Sequence, residues 1–309
     1  MSASTCISVK GLVALRACAL ALTIALASSC SAGGMRIERD PYFASFYEKT
    51  RLIMTNEEIR IYKHLADDRA REEFIGEFWQ KRDPLPDTPE NEARAEFERR
   101  IAYANRWFKE NRAPGRGWDT PRGRILIQLG EPDNRYLNDM INDPNVKGYE
   151  RWIYYEHQLE LVFVDSSGFG EFKLRGFPAE LLTAIDRARF AINPIAGGSP
   201  DGALSFQAQY RDSGISISLP LKKIRFSESG DTVHADYRIT VYVYRDYAKV
   251  ATRVFDKRLH YSRQDMPTAK TVEFSLPYPL AARGKYFLDI VMEDLLTGSR
   301  SRNSVAFKL

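Results

Sequence analysis

The chain has 309 residues, with 45 Lys and Arg against 41 Asp and Glu and a formal charge of +4. Charges this evenly matched lack the concentrated basic excess of an electrostatic nucleic-acid binder, so nucleic acid is excluded as a partner. The three cysteines, Cys6, Cys18 and Cys30, all lie in the first thirty residues. The body of the protein therefore has no disulfide and no cysteine nucleophile, and its stability must come from packed cores.

Lys10 and Arg16 precede an apolar run from Ala17 to Ala27, which breaks at Ser28-Ser29-Cys30. This is the pattern of a signal peptide, and the run is shorter than the roughly 20 residues a helical span requires. Leu26-Ala27-Ser28-Ser29 resembles the lipobox read by lipoprotein signal peptidase, although Leu26 stands four residues before the cysteine rather than three. Residues 1–29 are expected to be removed and Cys30 to carry lipid, which makes a membrane the first expected partner. Ser31 follows the cysteine where Asp would retain the protein at an inner membrane, so the expected address is the outer membrane, facing the periplasm. Residues 30–40 form a tether, and the stretch from Ser31 to Asp40 reaches at most ~36 Å at ~3.6 Å per residue.

Residues 41–192 read as an α+β domain, a helical pair plus a small antiparallel sheet. Thr55 and Glu58 form a capping box ahead of Ile59, Tyr62 and Leu65. Asp68 is placed to cap a second helix with Phe74, Ile75, Phe78 and Trp79 as its apolar stripe. Asp83-Pro84-Leu85-Pro86-Asp87 ends that helix. Thr88 and Pro89 restart a long one, with Ala93, Phe97, Ile101, Ala104 and Phe108 on its core face. After the Asn111–Gly117 loop, Ile125–Leu129 reads as a buried strand ended by Gly130-Glu131-Pro132-Asp133. Arg151–Tyr155, Leu159–Val164 and Phe172–Leu174 read as further strands, the last two joined as a hairpin through Asp165-Ser166-Ser167-Gly168. Pro178–Phe190 closes the domain as a helix with Leu181, Leu182, Ile185 and Ala188 inward.

The Asn, Pro and Gly content of residues 193–203 marks a linker. Residues 204–309 read as all β, with strands at Ile215–Phe226, Val233–Tyr244, Val250–Tyr261, Thr271–Leu276, Tyr286–Glu293 and Ser304–Leu309. Tyr237, Ile239, Val241 and Val243 alternate with Arg238, Thr240, Tyr242 and Tyr244, as in a strand with one buried face. Short strands at this spacing predict an all-β immunoglobulin-like sandwich, without the cysteine pair and core tryptophan of antibody domains.

Three blocks carry a family resemblance. The first is Phe78-Trp79-Gln80-Lys81-Arg82-Asp83-Pro84, followed by Thr88-Pro89-Glu90-Asn91-Glu92. The second is Arg99-Arg100-Ile101-Ala102-Tyr103-Ala104-Asn105. The third runs from Gly117-Trp118-Asp119-Thr120-Pro121-Arg122-Gly123-Arg124 through Ile125-Leu126-Ile127-Gln128-Leu129 to Gly130-Glu131-Pro132-Asp133. Over about residues 45–175 the chain resembles the GWxTD domain-containing proteins, and three blocks in order make the match specific. The motif's closing aspartate is Pro121 here, so no role of that carboxylate carries over. The resemblance implies a bacterial, exported protein of a family without an assigned catalytic activity, and so a fold and an address more than a reaction.

Catalytic constellations are thin, and neither a metal nor a cofactor is expected. His64, His157, His234 and His260 fall in different elements without paired metal spacing. There is no Gly-x-Ser-x-Gly elbow, and no Lys-Ser/Thr pair follows the glycines near Trp118. Asp143, Asn145 and Gly148 match the first, third and sixth positions of a calcium loop, but Lys147 and Tyr154 occupy positions that need oxygen ligands. Glu131, Asp133, Glu156 and Asp165 lie near strand ends, where a glycosidase-like pair would be drawn from them. Arg116, Trp118, Arg122 and Arg124 have two readings. One is a binding surface of arginine forks beside a tryptophan platform. The other, which is preferred, is a packing seam in which Trp118 plugs the junction of helix pair and sheet and Arg122 or Arg124 pairs with Asp83 or Glu92. Tyr242, Tyr244 and Tyr247 likewise form either an exposed contact patch or a second face packed on the first domain.

The expected function is a noncatalytic, membrane-anchored envelope lipoprotein that binds a protein partner or assembles a complex. The alternative is a binder or processor of a periplasmic glycan or peptidoglycan through Arg116, Trp118, Arg122, Arg124, Glu131 and Asp133.

Overall fold

A computed structural model describes residues 40–111, 114–138, 143–190 and 204–309. The expected signal peptide 1–29, Cys30, the tether up to residue 39 and the whole 193–203 linker lie outside the described residues. The chain divides after Ala44, and Ser45–Leu309 forms one compact unit.

The helical part comprises α1 (Pro41–Thr50), α2 (Asn56–His64), α3 (Asp68–Gln80) and α4 (Glu92–Trp107). The capping box of α2 forms as expected, with Glu58 N–H donating to Thr55 Oγ1 at 3.2 Å and Thr55 N–H to Glu58 Oε2 at 2.9 Å. Two helix starts differ from expectation. Asp67, not Asp68, caps α3 by accepting from Ala70 N–H at 2.8 Å. Asn91, not Thr88, caps α4 by accepting from Arg94 N–H at 2.9 Å. The Thr88 hydroxyl instead lies within 2.9 Å of Leu85 O and 2.8 Å of Glu92 Oε1, with one proton to donate to either, and tightens the preceding turn.

Ring contacts tie these elements together. Phe46 meets Phe78 edge-on at 5.6 Å, Trp79 meets Phe97 at 5.4 Å, and Phe108 meets Trp152 at 5.6 Å. Each fully buried ring or aliphatic chain contributes about 1.5–3 kcal/mol from its removal from water. The expected stripes of α3 and α4 are buried throughout.

The segment expected as a first strand is a helix, α5 (Pro121–Leu129), preceded by a 3₁₀ turn at Gly117–Asp119. Thr120 caps it, accepting from Gly123 N–H at 3.2 Å, and Pro121 takes the first helical position. Four apolar residues in a stretch of five, broken only by Gln128, cannot separate a buried strand from a buried helix by periodicity. The Thr-Pro start signal decides the matter here. The sheet that follows is antiparallel in the order β1 (Asn134–Leu137), β2 (Gly148–Tyr154), β3 (Leu159–Asp165), β4 (Lys173–Leu174). Its inner face is Trp152, Tyr154, Leu159, Leu161 and Phe163. Helix α6 (Ala179–Phe190) buries Leu181, Ala184 and Ile185, but Leu182, expected inside, is 56% exposed.

Beyond residue 203 the chain is almost wholly β: β5 (Gln207–Arg211), β6 (Gly214–Pro220), β7 (Ser227–Ser229), β8 (Thr232–Arg245), β9 (Ala248–Ser262), β10 (Thr271–Pro277), β11 (Lys285–Asp294) and β12 (Arg300–Lys308). A three-stranded sheet, β10-β6-β5, shares one apolar core with a five-stranded sheet in which β11 and β9 flank β8. Tyr237, Ile239, Val241 and Val243 point into that core with Leu288 and Ile290 across the β8–β11 pair. Part of the opposite face of the five-stranded sheet, around Tyr242, Tyr244, Phe287 and Val291, is also buried, because α3 lies on it. Tyr242 Oη donates to Gln80 Oε1 at 3.4 Å and Tyr244 Oη to Glu77 Oε2 at 3.1 Å. Tyr242 and Tyr244 are thus the second face packed on the helices rather than an exposed patch.

Candidate functional site

The Gly117–Arg124 segment crosses α4 at very close range. A Cβ on Gly117 would lie 2.0 Å from Ala104 O, and one on Gly123 would lie 2.0 Å from Gly117 O. Both obstacles are backbone, which has no rotamer with which to yield, so only glycine fits. Thr120 Oγ1 donates to Gly117 O at 2.7 Å while it caps α5, and Trp118 N–H donates to Asn105 Oδ1 at 3.2 Å. The Trp118 ring is 4% exposed. Gly117, Trp118, Thr120 and Gly123 are therefore all consumed in seating the 3₁₀ turn and α5 on α4.

The structure separates the six residues expected to bind. Trp118 and Arg122 are buried, whereas Arg116, Arg124, Glu131 and Asp133 are exposed. Arg122 points inward, donating to Glu150 Oε1 at 2.7 Å, with its guanidinium 3.8 Å from the Phe172 ring centre. Arg124 instead donates to Asp119 Oδ1 at 2.9 Å, and Arg116 reaches the same carboxylate at 3.2 Å. The expected pairing of Arg122 or Arg124 with Asp83 or Glu92 is thus replaced by Glu150 and Asp119. Glu131 pairs with Arg99 at 2.9 Å, and Asp133 accepts from Tyr155 N–H at 2.7 Å. Of the other carboxylates weighed for sugar chemistry, Asp165 is buried and accepts from the N–H groups of Ser167, Gly168 and Gly170 within its own hairpin. Asp143 holds an Asn145 N–H at 3.0 Å in a surface turn.

Glu150, which the sequence reading did not single out, is the hub beneath the motif. It accepts from Arg122, from both Nε and Nη2 of Arg135 at 3.0 Å, and from Trp152 Nε1 at 3.0 Å. Burial works to raise its carboxyl, but Arg135 and Arg122 outweigh that and hold it below the usual range.

A second buried cluster joins the helices to the five-stranded sheet. Glu58 receives Arg82 Nη2 at 2.8 Å and Arg302 Nη2 at 2.6 Å; Asp289 receives Lys81 Nζ at 2.7 Å and Arg302 Nε at 2.7 Å. All five side chains are buried. Burial alone would raise both carboxyls. Arg302, Arg82 and Lys81 pull Glu58 well below the usual range, and Arg302 and Lys81 lower Asp289. Carboxylates held ionised by several donors have no proton to give at neutral pH and are poor acceptors of one. Both clusters act as ionic anchors rather than as acid–base centres. The signals for this cluster are present in the sequence: Asp289 interrupts the otherwise apolar Tyr286–Met292 run, and Lys81-Arg82 follows the apolar Phe78-Trp79 with only Gln80 between.

Among the described residues, no three His, Cys, Asp or Glu side chains converge on a metal-sized site, and no helix is long and apolar enough to cross a membrane. No family model and no curated protein matches the chain. Among solved structures, a superoxide reductase from Nanoarchaeum equitans is 12% identical, with 36% of this chain and 95% of that one covered at a TM-score of 0.18. A chicken interferon gamma receptor alpha chain is 7% identical, with 48% of this chain and 64% of that one covered at a TM-score of 0.20. Likenesses at this level carry no inference about fold or function.

Proposed function

We propose that this chain is a noncatalytic interaction module of the bacterial envelope, anchored through lipid on Cys30 and facing the periplasm, in which a GWxTD-type α+β part is joined to an immunoglobulin-like sandwich. The observation that carries the interaction reading is an apolar strip at one edge of the four-stranded sheet. On the edge strand β1, Tyr136 is 37% and Leu137 59% exposed, and Tyr155, at the end of β2, is 62% exposed. Tyr136 pairs in register with Arg151 and Leu137 with Glu150, so the two neighbours present apolar surface on both sides of the edge, and Asn134 hydrogen-bonds the Tyr155 hydroxyl at its other end. Apolar side chains gathered on an open strand edge suit a protein partner that extends the sheet. The motif itself supports this role indirectly, because it seats α5 on α4 and leaves no side chain of Trp118 or Arg122 for a ligand.

The test is mild in-cell crosslinking followed by affinity purification, with wild type beside a Leu137→Ser/Tyr155→Ser double variant. A stoichiometric partner captured by wild type and lost from the folded double variant is the expected result. Recovery of cell-wall fragments by both proteins, with no protein partner, overturns it in favour of polymer binding. Membrane fractionation of Cys30→Ser tests the anchor, and retention of that variant in the membrane fraction refutes lipidation at this position.

A further inference from the structure

A cavity of about 320 Å³ opens between α2 and the end of the five-stranded sheet, beside the Glu58–Asp289 cluster, whose Lys81 Nζ lies 5.8 Å from the centre of the Tyr244 ring that lines it. Its sheet side is formed by Tyr244, Phe287 and Ala306, and its helix side by Glu57, Arg60 and Ile61. Tyr247 borders it and is stacked on His64 at 4.4 Å, which fixes the ring. A cavity of this size lies at the lower end of the ~300–1,000 Å³ range of small-molecule sites.

The charge around it is one-sided. Lys285 and Lys308 both line the cavity, are both exposed, and stand directly opposite each other on the antiparallel β11–β12 pair. Like charges in cross-strand register are destabilising, and among the described residues neither ammonium has a carboxylate within ion-pair distance. The nearby Asp246 spends Oδ1 on the Lys285 backbone N–H at 3.0 Å rather than on its ammonium. Arg60 adds a third cation, engaged by Glu57 at 3.5 Å. Three cations thus face one acid over an aromatic floor. The unfavourable lysine pair becomes favourable when an anion sits between the two ammonium groups, and the rings below accept a flat apolar body.

We infer that this cavity binds a small organic anion carrying an aromatic or similarly flat apolar body, with Lys285 and Lys308 holding the anionic head and Tyr244, Phe287 and Ala306 seating the ring. This site is independent of the partner-binding strip. It would give the module a small-molecule ligand at the junction of helices and sheet.

Calorimetric titration of the full chain with 2-naphthoate, 1-naphthyl phosphate and neutral 2-naphthamide tests it. One-to-one saturable binding of at least one anion is expected, tighter than naphthamide by tenfold or more, and the preferred anion separates a carboxylate-type from a phosphate-type ligand. Lys285→Gln/Lys308→Gln should weaken the anion by at least tenfold, leave naphthamide unchanged and melt no lower than wild type. Ala306→Trp should fill the cavity and block all three. Equal binding of anions and amide, unchanged anion affinity in the lysine double variant, or no saturable binding at millimolar ligand overturns the inference. If Ala306→Trp does not fold, the lysine double variant still decides.

Discussion

Glu58→Gln removes one negative charge from a buried set of three cations and two carboxylates. It leaves Lys81, Arg82 and Arg302 facing Asp289 alone, and it replaces charge-assisted contacts at 2.6 and 2.8 Å with weaker amide ones. Breaking a buried ionic network by removing one partner costs about 3–5 kcal/mol, because a desolvated charge loses its counterion. Against a total stability of about 5–15 kcal/mol that loss is large. At about 2–4 °C per kcal/mol for a chain of this size class, it lowers the melting midpoint by about 6–20 °C. Lys81→Met supplies the comparison. It removes a cation from the side in excess, leaves Asp289 bridged by both Nε and Nη2 of Arg302, and places a flexible apolar chain between the Phe74 and Tyr242 rings. It is expected to cost less than half as much. Urea unfolding followed by tryptophan fluorescence and far-UV circular dichroism measures both. A Glu58→Gln loss below about 1 kcal/mol, or a Lys81→Met loss larger than that of Glu58→Gln, refutes the anchor argument.

Further outcomes follow from the same contacts. Glu58, Asp289 and Glu150 all have carboxyls lowered in the folded state, so the stability they confer is complete above the ordinary carboxylate range of about 4 and is lost as pH falls through their lowered values. An acid titration of wild type should show this loss, and Glu58→Gln should show a shallower one; equal slopes contradict it. Gly123→Ala and Gly117→Ala each force a Cβ into backbone 2.0 Å away and should prevent accumulation of soluble folded protein, whereas Gly76→Ala, with nothing within 4 Å, should be neutral or stabilising in thermal melts. Trp118→Ala empties a buried site at a cost of about 3–5 kcal/mol, while Arg124→Ala removes only an exposed pair with Asp119 worth about 0–1 kcal/mol; comparable losses in denaturant melts would contradict the seam.

What the sequence made legible follows from which physical signals are local. The capping box at Thr55–Glu58 and the apolar stripes of α3 and α4 are written in short-range spacing and appear in place, whereas the one-sided alternation of β8 holds only as far as Thr240, because α3 also covers Tyr242 and Tyr244. The α5 error shows the limit of spacing, since Ile125–Leu129 carries an apolar run with no readable period, and only the Thr120–Pro121 start distinguishes helix from strand. The interior fate of Arg122 was unreadable because its partner, Glu150, is supplied by a strand 28 residues away. Leu182 reads as inward by helical period, yet the covered side of α6 is set by where α5 lies, and Leu182 faces out.

The buried ionic anchor has a consequence for dividing the chain. Expressed alone, residues 41–192 would present Glu58, Lys81 and Arg82 without Asp289 and Arg302, leaving two cations against one carboxylate. Residues 204–309 alone would uncover Tyr242, Tyr244, Phe287 and Val291 around Asp289 and Arg302, a face that buries apolar area only when α3 covers it. Each half therefore loses both hydrophobic burial and charge compensation, and the losses reinforce each other because an ion pair is stronger where the surrounding rings exclude water. Neither half is expected to unfold cooperatively alone, while coexpression should restore a complex that melts as one transition. A 41–192 fragment with a sharp thermal transition at the full-chain temperature would show that the helices and small sheet are self-sufficient. In that case the contacts of Lys81 and Arg302 with Asp289 would be incidental to stability rather than its keystone.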